Sequence, residues 1–298
     1  MLSSKEICDT FNLTHYGREI KLISFTSLDQ VKENSIIFLK NVSSKKLIKL
    51  KEHKSSFVIF PTSAKDSFII DDSCSYVFHD DPRTIFFEII EKYFSNHLDP
   101  GIDSSAYIDK KAVIGSNVYI GKNVIIDSNS IIGDNVFIGA CSQIIGLCDI
   151  GKNTSISSGV IIGEESLSIR NENNINYQNS QKGGVIIGKN SRIGVFSTIS
   201  RGSIGDTILG ENVFMGEYAH IGHNSKISDK SVMTIRSSVC GSVLIEKPCW
   251  LGPHSLILNG VTIKEEIKLG AGSVLQTNAK KSGTYFGNPA KLLEFNRK

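Results

Sequence analysis

From Ala106 onward, apolar residues recur at every sixth position. Ile108, Ile114, Ile120, Ile126, Ile132, Ile138, Ile144, Ile150, Ile156 and Ile162 follow one another without a slip. The register resumes at Ile187, Ile193 and Ile199. It resumes again at Leu209, running through Met215, Ile221, Ile227, Met233, Val239, Ile245, Leu251, Ile257, Ile263, Leu269 and Leu275. An α-helical apolar stripe returns every 3.6 residues, so a period of six does not describe one helix. Short strands separated by sharp corners do fit. Side chains alternate along a strand, so a second inward position lies two residues before each mark. Ala106, Ala112, Val118, Val124, Ser130, Val136, Ser142, Cys148, Thr154 and Val160 occupy it, all small or β-branched. Gly, Asp and Asn near the corners suit tight turns. The pattern predicts a solenoid of short strands, not a globular sheet.

This pattern resembles the hexapeptide signature of the left-handed parallel β-helix, in which three six-residue sides make an eighteen-residue coil. The resemblance implies a homotrimer. The first hundred residues lack the repeat. Strand-like 35–40 and 55–61 alternate with helix-like 43–53 and 81–97, which predicts a small α/β domain. The turn residues of 98–101 mark a boundary. The expected fold class is mostly β, with a small N-terminal α/β domain over 1–100, a β-helix over 101–280 and a tail over 281–298. Polar, off-register residues at 164–183 form an insertion, and a shorter break covers 201–207. Long insertions in repeat proteins often carry function, although a passive loop is the plain alternative.

Composition narrows the picture. A hydrophobic content of 40% supports a core. A net charge of +3 gives no field suited to nucleic acid. No apolar run reaches the roughly 20 residues a spanning helix needs, so a cytoplasmic protein without a membrane span is expected. Cys8, Cys74, Cys141, Cys148, Cys240 and Cys249 include no CxxC pair and no ligand cluster, which points to structural thiols.

Candidate chemistry concentrates in 216–228, where His220, His223 and Asn224 interrupt an otherwise plain repeat. His223 lies two past its inward mark, Ile221, and should face outward at a corner. Gly241, eighteen residues later, should lie one coil above, about 4.8 Å away. An exposed imidazole and a bare backbone amide on successive rungs suit a general base beside an oxyanion donor. Taken alone, the residues fit equally a surface histidine above an ordinary turn glycine.

The segment 200–228 resembles the core motif of the UDP-3-O-acylglucosamine N-acyltransferase family, with its Asp-Arg-Gly, Asp-Thr-x-Ile-Gly and His-Asn elements. The resemblance extends to the N-terminal domain, the repeat and the site of the insertion. It implies N-acyl transfer from an acyl carrier protein or coenzyme A thioester to the amine of a nucleotide-linked amino sugar, with no tightly bound cofactor and no metal. It makes His223 the base and Gly241 the oxyanion donor. Asn224 is expected to orient the imidazole, and His220 to neighbour the substrate. Phe38 would stack on the nucleotide base and Asn41 would hydrogen-bond it, although Ser44 stands where the family has Tyr.

The chain also departs from the family pattern. Ser200 replaces the Asp before Arg201, and the insertion reads ESLSIRN in place of a Gly-Phe-Gly-Tyr element. A Gly-His pair two coils above the base becomes Asn259-Gly260, a loss for which His254 is a candidate replacement. The family's C-terminal helical extension is replaced by an ending whose Asn288, Pro289 and Lys291 resemble the donor-binding tail of coenzyme A-dependent acetyltransferases. Three alternatives stay open: a short-chain coenzyme A-dependent transferase acting on a dideoxy amino sugar nucleotide, a zinc site drawn from His220, His223 and His254, and a non-catalytic sugar-nucleotide scaffold.

Overall fold

The computed structural model describes residues 2–30, 32–52, 55–65, 75–94 and 98–294. The chain divides into two compact units, Met1–His97 and Leu98–Lys298.

The first unit is built on a five-stranded sheet in the order Tyr16–Gly17, Ser75–His79, Phe57–Pro61, Ser35–Phe38 and Ser24–Phe25. All neighbours are parallel except Tyr16–Gly17, which runs antiparallel to Ser75–His79. Helices span Ser4–Phe11, Ser44–Leu50 and Pro82–Tyr93. Ser3 and Glu6 form a reciprocal capping box on the first helix, while Asp81 caps the third and Pro82 opens it. Ile7, Ile36, Phe57, Ile59, Val77 and Ile89 close the core. The first helix and the strand Ser75–His79 were not foreseen from sequence. The helix is only eight residues long and its apolar content is slight.

The second unit is a parallel β-solenoid with three faces. The first holds nine strands from Tyr107–Ile108 to Val274–Leu275. The second holds eight, from Val113–Ile114 to Thr262–Ile263. The third holds eleven, including Gly101–Ile102 and the tail strands Gly283–Phe286 and Lys291–Leu292. Register confirms the eighteen-residue coil, with Ile126 paired to Ile144, Ile221 to Val239 and Val239 to Ile257. Every sixth-position mark from Ile120 to Leu275 is buried, and the small positions from Val118 to Val160 are buried beside them. Ile108 and Ile114, on the first coil, are half-buried.

Corners are built on positive φ three residues past a mark. Asn117, Asn135, Asn153, Asn190 and Asn212 take φ of 55–60° down one corner. Their amides form a ladder in part, with Asn135 Nδ2 donating to Asn153 Oδ1 and Asn153 Nδ2 to Asn190 Oδ1, both 3.0 Å. Asn tolerates this region better than most residues.

The insertion 164–183 is ordered. Ile169–Glu172 pairs antiparallel with Ile175–Gln178, and Asn173 and Asn174 turn the chain with φ of 52° and 61°. Two successive positive-φ residues suit the twist of a two-residue hairpin. Its sequence alternates too weakly to announce strands, because both of them are fully exposed.

Cys8, Cys141, Cys148, Cys240 and Cys249 are free thiols, and Cys74 lies outside the described residues. Burial pushes Cys8 and Cys148 up to about 12 and Cys249 up to about 11, which keeps them protonated. Among the described residues no helix is long and apolar enough to cross a membrane.

Because each inward Ile fills its own coil, truncation leaves a cavity that neighbouring rungs cannot collapse to fill. Ile144→Ala should cost about 2–5 kcal/mol, read as a lowered midpoint in chemical denaturation. A loss below about 0.5 kcal/mol, the range of ordinary surface changes, would contradict the packing.

Candidate active site

One corner of the solenoid, between the first and second faces, gathers the candidate residues His223, Asn224 and Gly241. His220 and Ile221 form a strand on the first face, and the chain turns immediately afterwards at His223 and Asn224. Asn224 takes φ 60°. Val239 lies above Ile221 in register, which puts Gly241 one rung above His223. The imidazole lies directly against that glycine: a methyl built on Gly241 Cα would be 2.7 Å from Cε1 and 2.8 Å from Cδ2, and closer still to Nε2. The His223 carbonyl accepts from Ser242 N–H at 2.7 Å, tying the two rungs together.

Hydrogen bonding fixes the tautomer. Asn224 Oδ1 accepts from Ser203 N–H at 2.9 Å, and Asn224 Nδ2 donates to the Gly205 carbonyl at 2.9 Å. A backbone amide only donates and a carbonyl only accepts, so the Asn224 amide has one orientation. Its oxygen therefore accepts from His223 Nδ1 at 3.1 Å. Nδ1 carries the proton, and Nε2, beside Gly241, keeps its lone pair. Asn224 N–H in turn donates to Thr207 Oγ1 at 2.8 Å.

Gly241 supplies the second half. The position two past each mark leaves its amide outside the strand ladder. On this same corner, Ser128 N–H donates to Asp127 Oδ1 at 2.8 Å and Gly146 N–H to Asp127 Oδ2 at 3.3 Å. On the next corner, Ser116 and Glu211 amides donate to Asp134 and Asp229 at 2.7 and 2.8 Å. Such a corner amide can serve an anionic oxygen where one is near, although most of them, those of Glu217, His223, Asp229 and Ile235 included, donate to no protein group among the described residues. Gly241 N–H, buried, has no such partner among the described residues. A backbone N–H left outside the ladder at this position can donate to a ligand oxygen.

The other predicted residues fall as follows. His220 faces outward on the first face, half-buried, its Nδ1 2.7 Å from Thr198 Oγ1. Burial holds its imidazole below the ordinary value, so it is neutral near pH 7. Cys240 adjoins Gly241, but burial raises its thiol and makes it a poor nucleophile. Asn259 and Gly260 continue the corner upward from Gly241. His254 does not stand above His223 on this corner. It follows Leu251 on the third face, at a different corner with φ 57°, because its position in the repeat assigns it to the column of Tyr218 and Arg236. Among the described residues no three His, Cys, Asp or Glu side chains gather as a metal-binding group.

Asn288, Pro289 and Lys291 are exposed in the hairpin that closes the solenoid. Asn288 Oδ1 accepts from Gln276 Nε2 at 3.2 Å, and Gln276 follows Leu275 on the first face. The tail thus meets the edge of the same corner, three rungs above His223 or roughly 14 Å by strand spacing. In the first unit, Phe38 is half-buried with its ring centroid 4.8 Å from that of Phe86. Asn41 is exposed, its carbonyl accepting from Lys46 Nζ at 3.1 Å.

Sequence reasoning missed Ser203, Thr207 and Gln181. Ser203 and Thr207 brace Asn224, and the buried Gln181 braces Ser203, its Nε2 donating to Ser203 Oγ at 3.3 Å. The available signal was the break at 201–207, off register directly before the histidines.

Known proteins share the repeat and the fold. The family described as bacterial transferase hexapeptide (six repeats) matches residues 111–146, and the hexapeptide repeat of succinyl-transferase matches 242–276. UDP-3-O-acylglucosamine N-acyltransferase from Janthinobacterium sp. (strain Marseille) is 32% identical over 140 residues, 47% of this chain and 40% of that protein. The enzyme of the same name from Pseudomonas aeruginosa (strain LESB58) is 38% identical over 93 residues, 31% of this chain and 26% of that protein. The matched stretches thus span less than half the length of these curated relatives. Among solved structures, UDP-N-acetylglucosamine acyltransferase from Campylobacter jejuni superposes with a TM-score of 0.59 at 26% identity, covering 66% of this chain and 75% of that one. The acyltransferase from Bacteroides fragilis gives 0.59 at 25% identity over 64% and 73%. The chain is a β-solenoid of hexapeptide repeats that is similar, over less than half of its length, to UDP-3-O-acylglucosamine N-acyltransferases.

Proposed function

We propose that this protein is an N-acyltransferase that moves an acyl group from a carrier-protein or coenzyme A thioester to the amine of a nucleotide-linked amino sugar. The observation that carries this reading is the pairing of His223 Nε2 with the unpartnered Gly241 amide on the rung above. In the reaction the sugar amine attacks the thioester carbonyl and a C–N bond forms. His223 Nε2 takes the amine proton, and the Gly241 N–H holds the oxyanion of the tetrahedral intermediate. The C–S bond then breaks, and the imidazolium returns its proton to the departing thiolate. Asn224 acts through His223, holding the ring in the tautomer that accepts at Nε2.

Phe38 and Asn41 would meet the nucleotide base, His220 would line the acceptor side, and Asn288, Pro289 and Lys291 would meet the donor. The placement of the tail at the edge of the catalytic corner supports a coenzyme A donor as readily as a carrier protein. The working unit in this reading is a cytoplasmic homotrimer.

Purified full-length protein should form the amide product, seen by mass spectrometry, when UDP- or dTDP-amino sugars are offered with acetyl-coenzyme A or hydroxyacyl carrier protein. Thermal stabilisation by a sugar nucleotide without turnover on any donor would identify a binding scaffold instead.

A further inference from the structure

Trp250 is the only tryptophan of the chain, and it stands 49% exposed on the third face. Tryptophan is highly buried on average, and its ring is enriched at surfaces that bind something. A groove of about 470 Å³ opens beside it, within the size range of small-molecule sites. None of the residues placed in the acyl-transfer reaction lines this groove. It runs along the third face and the corner with the second, whereas His223 and Gly241 lie on the corner between the first and second.

Two columns of side chains frame the groove. Val232, Trp250, Lys268 and Thr284 stack in register, one to a rung, about 4.8 Å apart. Two residues before each of them, at the corner, stand Lys230, Pro248, Glu266 and Ser282. Between the columns, Cys249 and Ile267 point into the solenoid and are buried, so they close the floor without filling the groove. Lys230 departs from the rest of its corner. Below it Asn117, Asn135, Asn153, Asn190 and Asn212 hold the left-handed conformation. Lys230 holds it too, at φ 60°, without the short polar side chain that eases it. The asparagine column thus ends where the groove begins, and an ammonium group takes its place. The charges here are unpaired. Lys230, Lys268 and Glu266 are exposed and form no ion pair among the described residues, although all three lie within two rungs.

We propose that this groove is a second binding site, apart from the catalytic corner, and that its ligand is a nucleoside monophosphate. The base stacks on the Trp250 indole, a contact open to any base because every base has a π-face. The Lys230 and Lys268 ammonium groups reach the phosphate from the rung below the indole and the rung above it. Hydrogen bonds from an ammonium to a phosphate are charge-assisted and strong. Ionised Glu266 only accepts, so it takes the ribose hydroxyls. Two ammonium groups and one carboxylate around an indole match a ligand with a planar ring, an anionic end and hydroxyl donors between them. They do not match a bare hydrocarbon. The site does not depend on the acyl-transfer reading.

The test is a titration of the full-length protein with AMP, UMP, adenosine and ribose 5-phosphate. It is read by tryptophan fluorescence, which reports Trp250 alone, and by calorimetry. AMP and UMP should quench the indole saturably. They should bind about tenfold or more tighter than adenosine or ribose 5-phosphate, because each fragment keeps only one of the two anchors. Added salt should weaken the nucleotides and leave adenosine unchanged. Lys230→Gln and Lys268→Gln should each lower the affinity for AMP by about fivefold or more. Trp250→Leu should remove most of the calorimetric signal with the circular dichroism of the fold unchanged. The two lysine variants keep the indole, so they decide the matter even if Trp250→Leu does not fold. Nucleotides that leave the indole unquenched at millimolar concentration overturn the proposal. So does ribose 5-phosphate binding as tightly as AMP, which makes the groove a sink for anions, and so does quenching that survives both lysine replacements. A blue-shifted indole emission that acrylamide does not quench also overturns it, and identifies this face as covered by another copy of the chain. No acyl donor enters the assay, so each of these outcomes leaves acyl transfer to its own test.

Discussion

Replacing His223 with alanine should lower kcat by about 10² to 10⁴ while KM for the sugar nucleotide changes little, because the loss is of proton transfer in the transition state and not of ground-state binding. The fold should tolerate the change. His223 is only half-buried, it lies outside the inward marks, and its carbonyl bond to Ser242 N–H survives substitution. The melting temperature should therefore stay close to that of the wild type. A residual rate above background is expected, since the Gly241 amide remains. The measurement is a steady-state comparison of the variant with wild type on the donor and acceptor pair that wild type uses best. An alanine variant within about threefold of wild-type kcat would remove the imidazole from the mechanism.

Gly241→Ala should be nearly as damaging, for a different reason. The glycine is not demanded by backbone conformation, since its φ is outside the left-handed region. Its amide hydrogen would survive in alanine. What alanine cannot do is share space with His223, because the added methyl would lie 2.7–2.8 Å from two imidazole carbons. The ring must give way, and a turn that keeps its bond to Asn224 moves Nε2 away from the position of the amine in the proposed reaction. Misplacement by about 1 Å can cost on the order of 10² in rate, so a fall of about 10² in kcat is expected with little change in thermal stability. Adding Asn224→Ala should then cost far less than it does alone, because the ring it held is already displaced. Full activity in Gly241→Ala would mean that the contact between the two rungs has no part in catalysis.

The solenoid could be read from the chain because its rule is local and repeats. An aliphatic every sixth residue and a small residue two before it leave one arrangement that buries both. The vertical pairing of His223 with Gly241 followed from counting alone. Asn224 was legible as a neighbour, but its task was not. Its orientation depends on Ser203 N–H and the Gly205 carbonyl, which come from a segment with no periodicity. Gln181 was invisible for the same reason: its partners, Ser166 and Ser203, lie 15 and 22 residues away across two breaks in register. His254 misled because spacing along the chain says how far a residue is from the base and not which corner it occupies, until each mark is assigned to a face. The α/β unit was only partly legible, since a five-stranded sheet with two-residue edge strands carries little pattern.

The tail that contacts Gln276 and His223 beneath it are separated by whole coils, so the span between them, from donor to reacting amine in the proposed reaction, comes only in steps of about 4.8 Å. Adding or removing an eighteen-residue block above Gly241 would lengthen or shorten that reach by one step while leaving every bond around the imidazole in place. A protein built this way can match thioester arms of different length without redesigning its chemistry, much as a ladder is refitted by choosing another rung.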